Sequence, residues 1–62
     1  MRGDKVVEIQ TRVKASGYDP GRLDGVFGKQ TAAAVHSFQL AKGLVADGEV
    51  GPLTAAALGV HL

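Results

Sequence analysis

The sequence predicts an all-α domain, a compact three-helix bundle in which two Asp-Gly loops each lead into a helix. Three observations predict it. Apolar residues recur at helical spacing in short segments, and glycines stand where those segments stop. A stretch of twelve residues also occurs twice, 23 positions apart: Asp24-Gly25-Val26-Phe27-Gly28-Lys29-Gln30-Thr31-Ala32-Ala33-Ala34-Val35 returns as Asp47-Gly48-Glu49-Val50-Gly51-Pro52-Leu53-Thr54-Ala55-Ala56-Ala57-Leu58. Seven of the twelve positions are identical, and both copies keep a hydrophobe at Phe27/Val50 and at Val35/Leu58. A repeat of this period signals one supersecondary unit used more than once.

The first helix is expected over about residues 4–16. Asp4 is placed as its N-cap, and Val6, Ile9 and Val13 recur at i, i+3 and i+7 to make one apolar stripe. Glu8 and Arg12 have the order and spacing of a weak i,i+4 pair. Ser16-Gly17 ends the helix, with Gly17 in the left-handed conformation after it. Residues 18–28 contain Pro20 and three glycines and read as loop. Gly28 caps a second helix over 29–42, whose buried face is drawn from Ala34, Val35, Phe38 and Ala41, and Gly43 stops it. After a shorter loop, Gly51-Pro52 opens a third helix over 52–58, since proline is favoured at the first helical position. The expected core is Val6, Ile9, Val13, Leu23, Phe27, Val35, Phe38, Leu44, Val50, Leu53 and Leu58, and the whole of 1–62 forms one domain.

Within the repeat each residue has an architectural task. Gly25 and Gly48 allow a positive φ, and Asp24 and Asp47 close Asx-turns onto the backbone two residues on. Phe27 and Val50 turn inward, and Gly28 and Gly51 permit close approach at the helix entry. Thr31 and Thr54 fall in the first helical turn, where a hydroxyl can reach back to the loop.

Composition excludes several functions. The chain has 62 residues, net charge +1 and no cysteine, so disulfides and thiolate metal sites are ruled out. Lysines and arginines are scattered among six acids and make no basic stripe for a nucleic-acid backbone. No apolar run approaches the ~20 residues that span a bilayer, and the N-terminus lacks the apolar stretch of a signal peptide. An exported parent would therefore have lost its signal, or the chain is a module of something longer. Calcium binding of the EF-hand type fails by ligand count. With Gly25 at loop position 6, positions 1, 3, 5 and 12 are Pro20, Arg22, Asp24 and Thr31, which offer one carboxylate where about 6–8 oxygens are needed. His36 and His61 have no third ligand at metal spacing, so neither metal nor cofactor is expected. Ser16 and Ser37 have no visible base beside them, and no catalytic residue is assigned. A DNA-reading helix would want Arg, Lys, Asn or Gln along it; the second helix offers Lys29, Gln30, His36 and Gln39, and the third has no polar side chain but Thr54.

The pattern Gly17-Tyr18-x-x-Gly21-x-x-Asp24-Gly25-x-Phe27-Gly28-x-x-Thr31-x-x-Ala34-Val35-x-x-Phe38-Gln39, continued by Gly43-Leu44-x-x-Asp47-Gly48-x-Val50-Gly51-Pro52-x-Thr54, resembles the bacterial peptidoglycan-binding domain family. Val6-x-x-Ile9-Gln10-x-x-Val13 is similar to that family's first helix, which usually carries Leu-Gln there. The resemblance covers essentially the whole chain. It implies a three-helix module, not itself an enzyme, that anchors a covalently linked cell-wall hydrolase or phage endolysin to murein, in the cell wall, periplasm or extracellular space. Family members often carry Trp where this chain has Ala55. The same fold serves in matrix metalloproteinase propeptides, whose cysteine switch is impossible here. That use supplies the competing expectation, a protein-interaction or propeptide-like docking module.

The candidate binding residues are Tyr18, Arg22, Gly28, Gln30 and Thr31. Tyr18 would supply apolar contact from an exposed loop, and Arg22 would pair with a stem-peptide or muramic carboxylate. Backbone N–H groups near Gly28, with Gln30 and Thr31, would donate to amide or carboxylate oxygens at a helix N-terminus. A monomer that binds weakly, made effective by tethering, is the expected form.

Overall fold

A computed structural model describes residues 3–61; the expectations that touch residues 1, 2 and 62 lie outside them. Three helices follow one another, α1 Asp4–Ala15, α2 Lys29–Lys42 and α3 Pro52–Leu58. The first helix packs against both of the others and is the centre of the bundle. Its stripe explains this position, because Val6, Ile9 and Val13 are all fully buried.

The start of α1 differs from expectation. Gly3, not Asp4, is the N-cap, and no side chain caps the helix. The Gly3 N–H donates to the Gly25 carbonyl at 2.8 Å, so the first loop fixes where the helix begins and puts Asp4 inside the first turn. There its charge favours the positive end of the helix dipole. Glu8 reaches back to Lys5 at 3.3 Å instead of forward to Arg12, an exposed pair of little energetic weight.

All three helices end alike. Gly17, Gly43 and Gly59 have positive φ. The N–H of the next residue returns to a carbonyl five positions back: Tyr18 to Val13 at 3.1 Å, Leu44 to Gln39 at 2.9 Å and Val60 to Ala55 at 2.8 Å. This is the Schellman arrangement, and it folds the hydrophobe after the glycine back over the last turn. Hence Val60 is a core residue at 5% exposure, and Tyr18 and Leu44 pack against the core from its edge. The Tyr18 ring meets Phe38 edge-on, with centroids 6.1 Å apart.

The core cluster is Ile9, Val13, Ala34, Val35, Phe38, Ala55, Leu58 and Val60, with Phe27 and Val50 partly buried against it as the repeat predicts. Leu23 and Leu53, expected inside, are 41% and 75% exposed. Leu53 is the second residue of α3 and points away from α1, while Ala55 and Leu58 carry the buried face. Ala41 is exposed as well. The buried side of α2 runs through Thr31, Ala34, Val35, Phe38 and Gln39, so a polar residue fills the place expected of an apolar one.

Candidate functional site

Two buried glutamines organise the loops. Gln10, on α1, is fully buried and donates through Nε2 to Thr31 Oγ1 at 3.0 Å, to the Val26 carbonyl at 3.1 Å and to Asp24 Oδ1 at 3.3 Å. Its Oε1 accepts the Gly25 N–H at 3.1 Å. Gln39, on α2, repeats every one of these bonds. It donates to Thr54 Oγ1 at 3.0 Å, the Glu49 carbonyl at 2.8 Å and Asp47 Oδ1 at 3.0 Å, and accepts the Gly48 N–H at 2.9 Å. One side-chain amide thus satisfies both a donor and acceptors of each loop, as buried polar groups require. Among the described residues no buried side-chain nitrogen or oxygen lacks a partner.

The expected Asx-turns form inside these clasps. Asp24 Oδ1 accepts the Val26 N–H at 2.9 Å, and Asp47 Oδ1 accepts the Glu49 N–H at 2.9 Å. The Val26 N–H, and after it the Gln10 amide, hold the Asp24 carboxyl below the usual carboxylate range; the Glu49 N–H and the Gln39 amide do the same for Asp47. Thr31 also donates back to the Pro20 carbonyl at 3.3 Å. The glycines at the second repeat position have positive φ, 75° at Gly25 and 73° at Gly48. Those at the helix entries, Gly28 and Gly51, are extended, and a Cβ there would meet nothing within 4 Å. The close approach expected at Gly28 and Gly51 is therefore absent, and both positions leave open space at the surface.

That space belongs to two hollows. The first, of about 210 Å³, lies over the start of α2 and is lined by Arg22, Gly28, Gln30 and Thr31 together with Pro20, Asp24, Val26 and Lys29. Four of the five sequence-derived candidates are thus brought together. Tyr18 is not among the lining residues, because the Schellman turn holds it against Phe38. Thr31 is 2% exposed and its hydroxyl is already engaged with Gln10 and Pro20. Arg22, Lys29 and Gln30 are exposed, and Gln30 lies close over Gly21, where a Cβ would overlap its amide. The second hollow, of about 180 Å³, sits at the equivalent place on the second loop and includes Val45, Asp47, Glu49, Gly51, Pro52 and Leu53. Sharing Asp47, Glu49 and Gly51 with it is a larger depression of about 500 Å³ that extends to Val50 and to Phe27 of the first loop.

Residues 2–58 match the family described as "Putative peptidoglycan binding domain". The chain belongs to the peptidoglycan-binding domain family. It is 44% identical over 52 residues to a spore cortex-lytic enzyme of Bacillus cereus, a match that covers 84% of this chain and 20% of that protein. It is 45% identical over 54 residues to the N-acetylmuramoyl-L-alanine amidase CwlM of Mycobacterium tuberculosis, covering 87% and 13%. Among solved structures, the N-terminal domain of SleB superposes with a TM-score of 0.89 at 41% identity, over 94% of this chain and 80% of that one. The chain spans about a fifth of the length of the first of these relatives. In the spore cortex-lytic enzyme and the amidase the matching region accompanies much longer sequence.

The glutamines are the residues that sequence reasoning passed over. Gln10 and Gln39 stand in the quoted motif beside Ile9 and Phe38, yet no role was read for them. The available signal was a second register. Val6-x-x-Ile9-Gln10 repeats as Val35-x-x-Phe38-Gln39 at an offset of 29, not the 23 of the Asp-Gly unit. The offsets differ because Gln10 precedes its aspartate by 14 residues and Gln39 by only 8.

Proposed function

We propose that this chain is a non-catalytic peptidoglycan-binding module that holds an attached wall-degrading or wall-remodelling enzyme on murein, acting as a monomer in the cell wall or extracellular space. The observation that carries this reading is family membership over residues 2–58, in relatives whose names describe cell-wall enzymes.

The contact surface in this proposal is the first hollow. Arg22 pairs with a carboxylate of the stem peptide or of muramic acid. The exposed Gln30 amide and the backbone at Gly28 supply further donors at the start of the 14-residue α2. Thr31 and Tyr18 contribute by holding the frame, through the Gln10 clasp and the Phe38 contact. The site is shallow, so a single domain binds weakly, and covalent linkage to the enzyme raises its effective concentration at the wall.

Co-sedimentation with purified sacculi tests the reading. The isolated domain should pellet at low salt, and Arg22→Ala should weaken retention by about two- to five-fold, the scale of one exposed charge pair, with no change in melting temperature. A wild-type domain that stays wholly in the supernatant at low salt would remove murein as the ligand and favour a protein-docking role.

A further inference from the structure

Advancing the lining of the first hollow by 23 positions yields seven of the eight residues that line the second, Leu44 being the exception: Arg22, Val26, Lys29 and Gln30 become Val45, Glu49, Pro52 and Leu53. The volumes agree, about 210 and 180 Å³, while the chemistry is reversed. Both cations and the amide of the first copy are replaced by apolar residues, and its valine by a carboxylate. Val45 and Leu53 are 81% and 75% exposed on this one hollow. Scattered surface hydrophobes need no explanation, but two that share a concave site with a carboxylate rim do. Asp47 spends Oδ1 on the Gln39 clasp and the Asx-turn, and Glu49 enters the clasp only through its backbone. Both carboxylates are exposed, and among the described residues no lysine or arginine lines either this hollow or the depression that continues from it to Val50 and Phe27.

We propose that this second groove binds an aliphatic side chain ending in an ammonium group, carried by the diamino acid of a wall stem peptide. The inference rests on the wall-binding reading above. Methylenes lie against Val45 and Leu53, and the ammonium meets Glu49 and the remaining oxygen of Asp47. Charge complementarity selects this occupant over the peptide's own carboxylates, which the acidic rim repels and the Arg22–Lys29 hollow attracts. The two copies of the repeat thereby sort the two kinds of charged group on one stem peptide.

The test is a titration of the isotope-labelled domain with the soluble tripeptide L-Ala-γ-D-Glu-L-Lys and with its Nε-acetyl form, read by amide chemical shifts. The free amine should shift Val45, Glu49 and Leu53, and acetylation should weaken the effect. Glu49→Gln should reduce affinity by about two- to five-fold, and Val45→Arg by more, with melting temperatures unchanged because both side chains are exposed. Equal shifts with the acetylated peptide, indifference to Glu49→Gln, or no response of these amides at millimolar peptide would each overturn the proposal. So would shifts in the same residues that follow protein concentration alone, which would make a second copy of the chain the occupant. Sacculi with acetylated amines separate this idea from the one it rests on. If the domain pellets on them as firmly as on native sacculi, the ammonium site is lost and wall binding stands. If it pellets on neither, wall binding is lost, and the peptide titration alone decides the groove.

Discussion

The two loop-to-helix units share one hydrogen-bond scheme and differ in almost everything around it. In the first, a longer loop wraps under α1, the clasp glycine is buried, and the hollow carries Arg22 and Lys29. In the second, the loop is shorter, the clasp glycine is half-buried, and the hollow carries Val45 and Leu53. What repeats is the set of groups that a folded loop must satisfy. The positions whose charge or polarity varies face solvent, where such a change costs the fold little. The repeat keeps one scaffold and gives its two surface hollows different chemistry.

The largest test of this comparison removes the clasps. Gln10→Ala orphans the buried Gly25 N–H and unties Asp24, Val26 and Thr31. Such a loss costs roughly 2–3 kcal/mol, a large share of the ~3–5 kcal/mol available to a domain of this size. Thermal unfolding should then move down by about 10–20 °C. Gln39→Ala should cost less, since its Gly48 bond is only partly buried. A reversed order would mean that the second clasp, not the first, holds the bundle.

Substituting the glycines should produce a wider gap. A Cβ on Gly25 would lie 3.1 Å from the Gly3 carbonyl and 3.2 Å from Val7, in addition to adopting φ +75°. On Gly48 the nearest atom is the Ala32 carbonyl at 3.5 Å, an ordinary contact. Gly48→Ala should therefore cost only the left-handed backbone, about 1 kcal/mol. Gly25→Ala should cost about twice that, as Gly3 is pushed from its 2.8 Å bond and the start of α1 loosens. Urea denaturation of the two variants measures the difference directly.

Truncating Tyr18 sits lower on the scale. Tyr18→Ala removes a half-buried ring from Phe38 and should lower stability by about 1 kcal/mol. It should change sacculus binding no more than that loss explains. A variant that keeps its melting temperature and loses binding would return Tyr18 to the contact surface.

The smallest effect is on acid stability, to which both copies contribute in the same direction. Asp24 and Asp47 have folded-state pKa values below the 3.8 of a free aspartate. The stability they add is fully present above that value. It is lost as pH falls through the lower folded-state values, because the unfolded chain then binds more protons. Melting temperature should be flat from neutral pH to about 4 and decline below it, and Asp24→Asn with Asp47→Asn should flatten that decline.

Much of this molecule was legible from residue order, and the misses share a cause. The three helices, their glycine stops, the Asx-turns and the inward Phe27 and Val50 depend on residues within a few positions of one another. Leu23, Leu53 and Ala41 were misplaced because hydrophobicity was read without knowing which side of each segment meets α1. Tyr18, expected on an exposed loop, is half-buried because the Schellman turn folds the residue after Gly17 inward, and the same turn makes Val60, for which no place was expected, a core residue. Of the binding candidates, Arg22, Gly28, Gln30 and Thr31 share one hollow through sequence proximity alone.

By itself the sequence determined the helices, the turns and the doubled Asp-Gly unit, because periodicity, capping and positive φ are local properties of the chain. Only the tertiary structure decided what closes those turns and what they present. Gln10 finds Thr31 across 21 residues, and Gln39 finds Thr54 across 15. An amide that must satisfy a loop so far along the chain acquires its meaning only when packing against α1 has brought the two together.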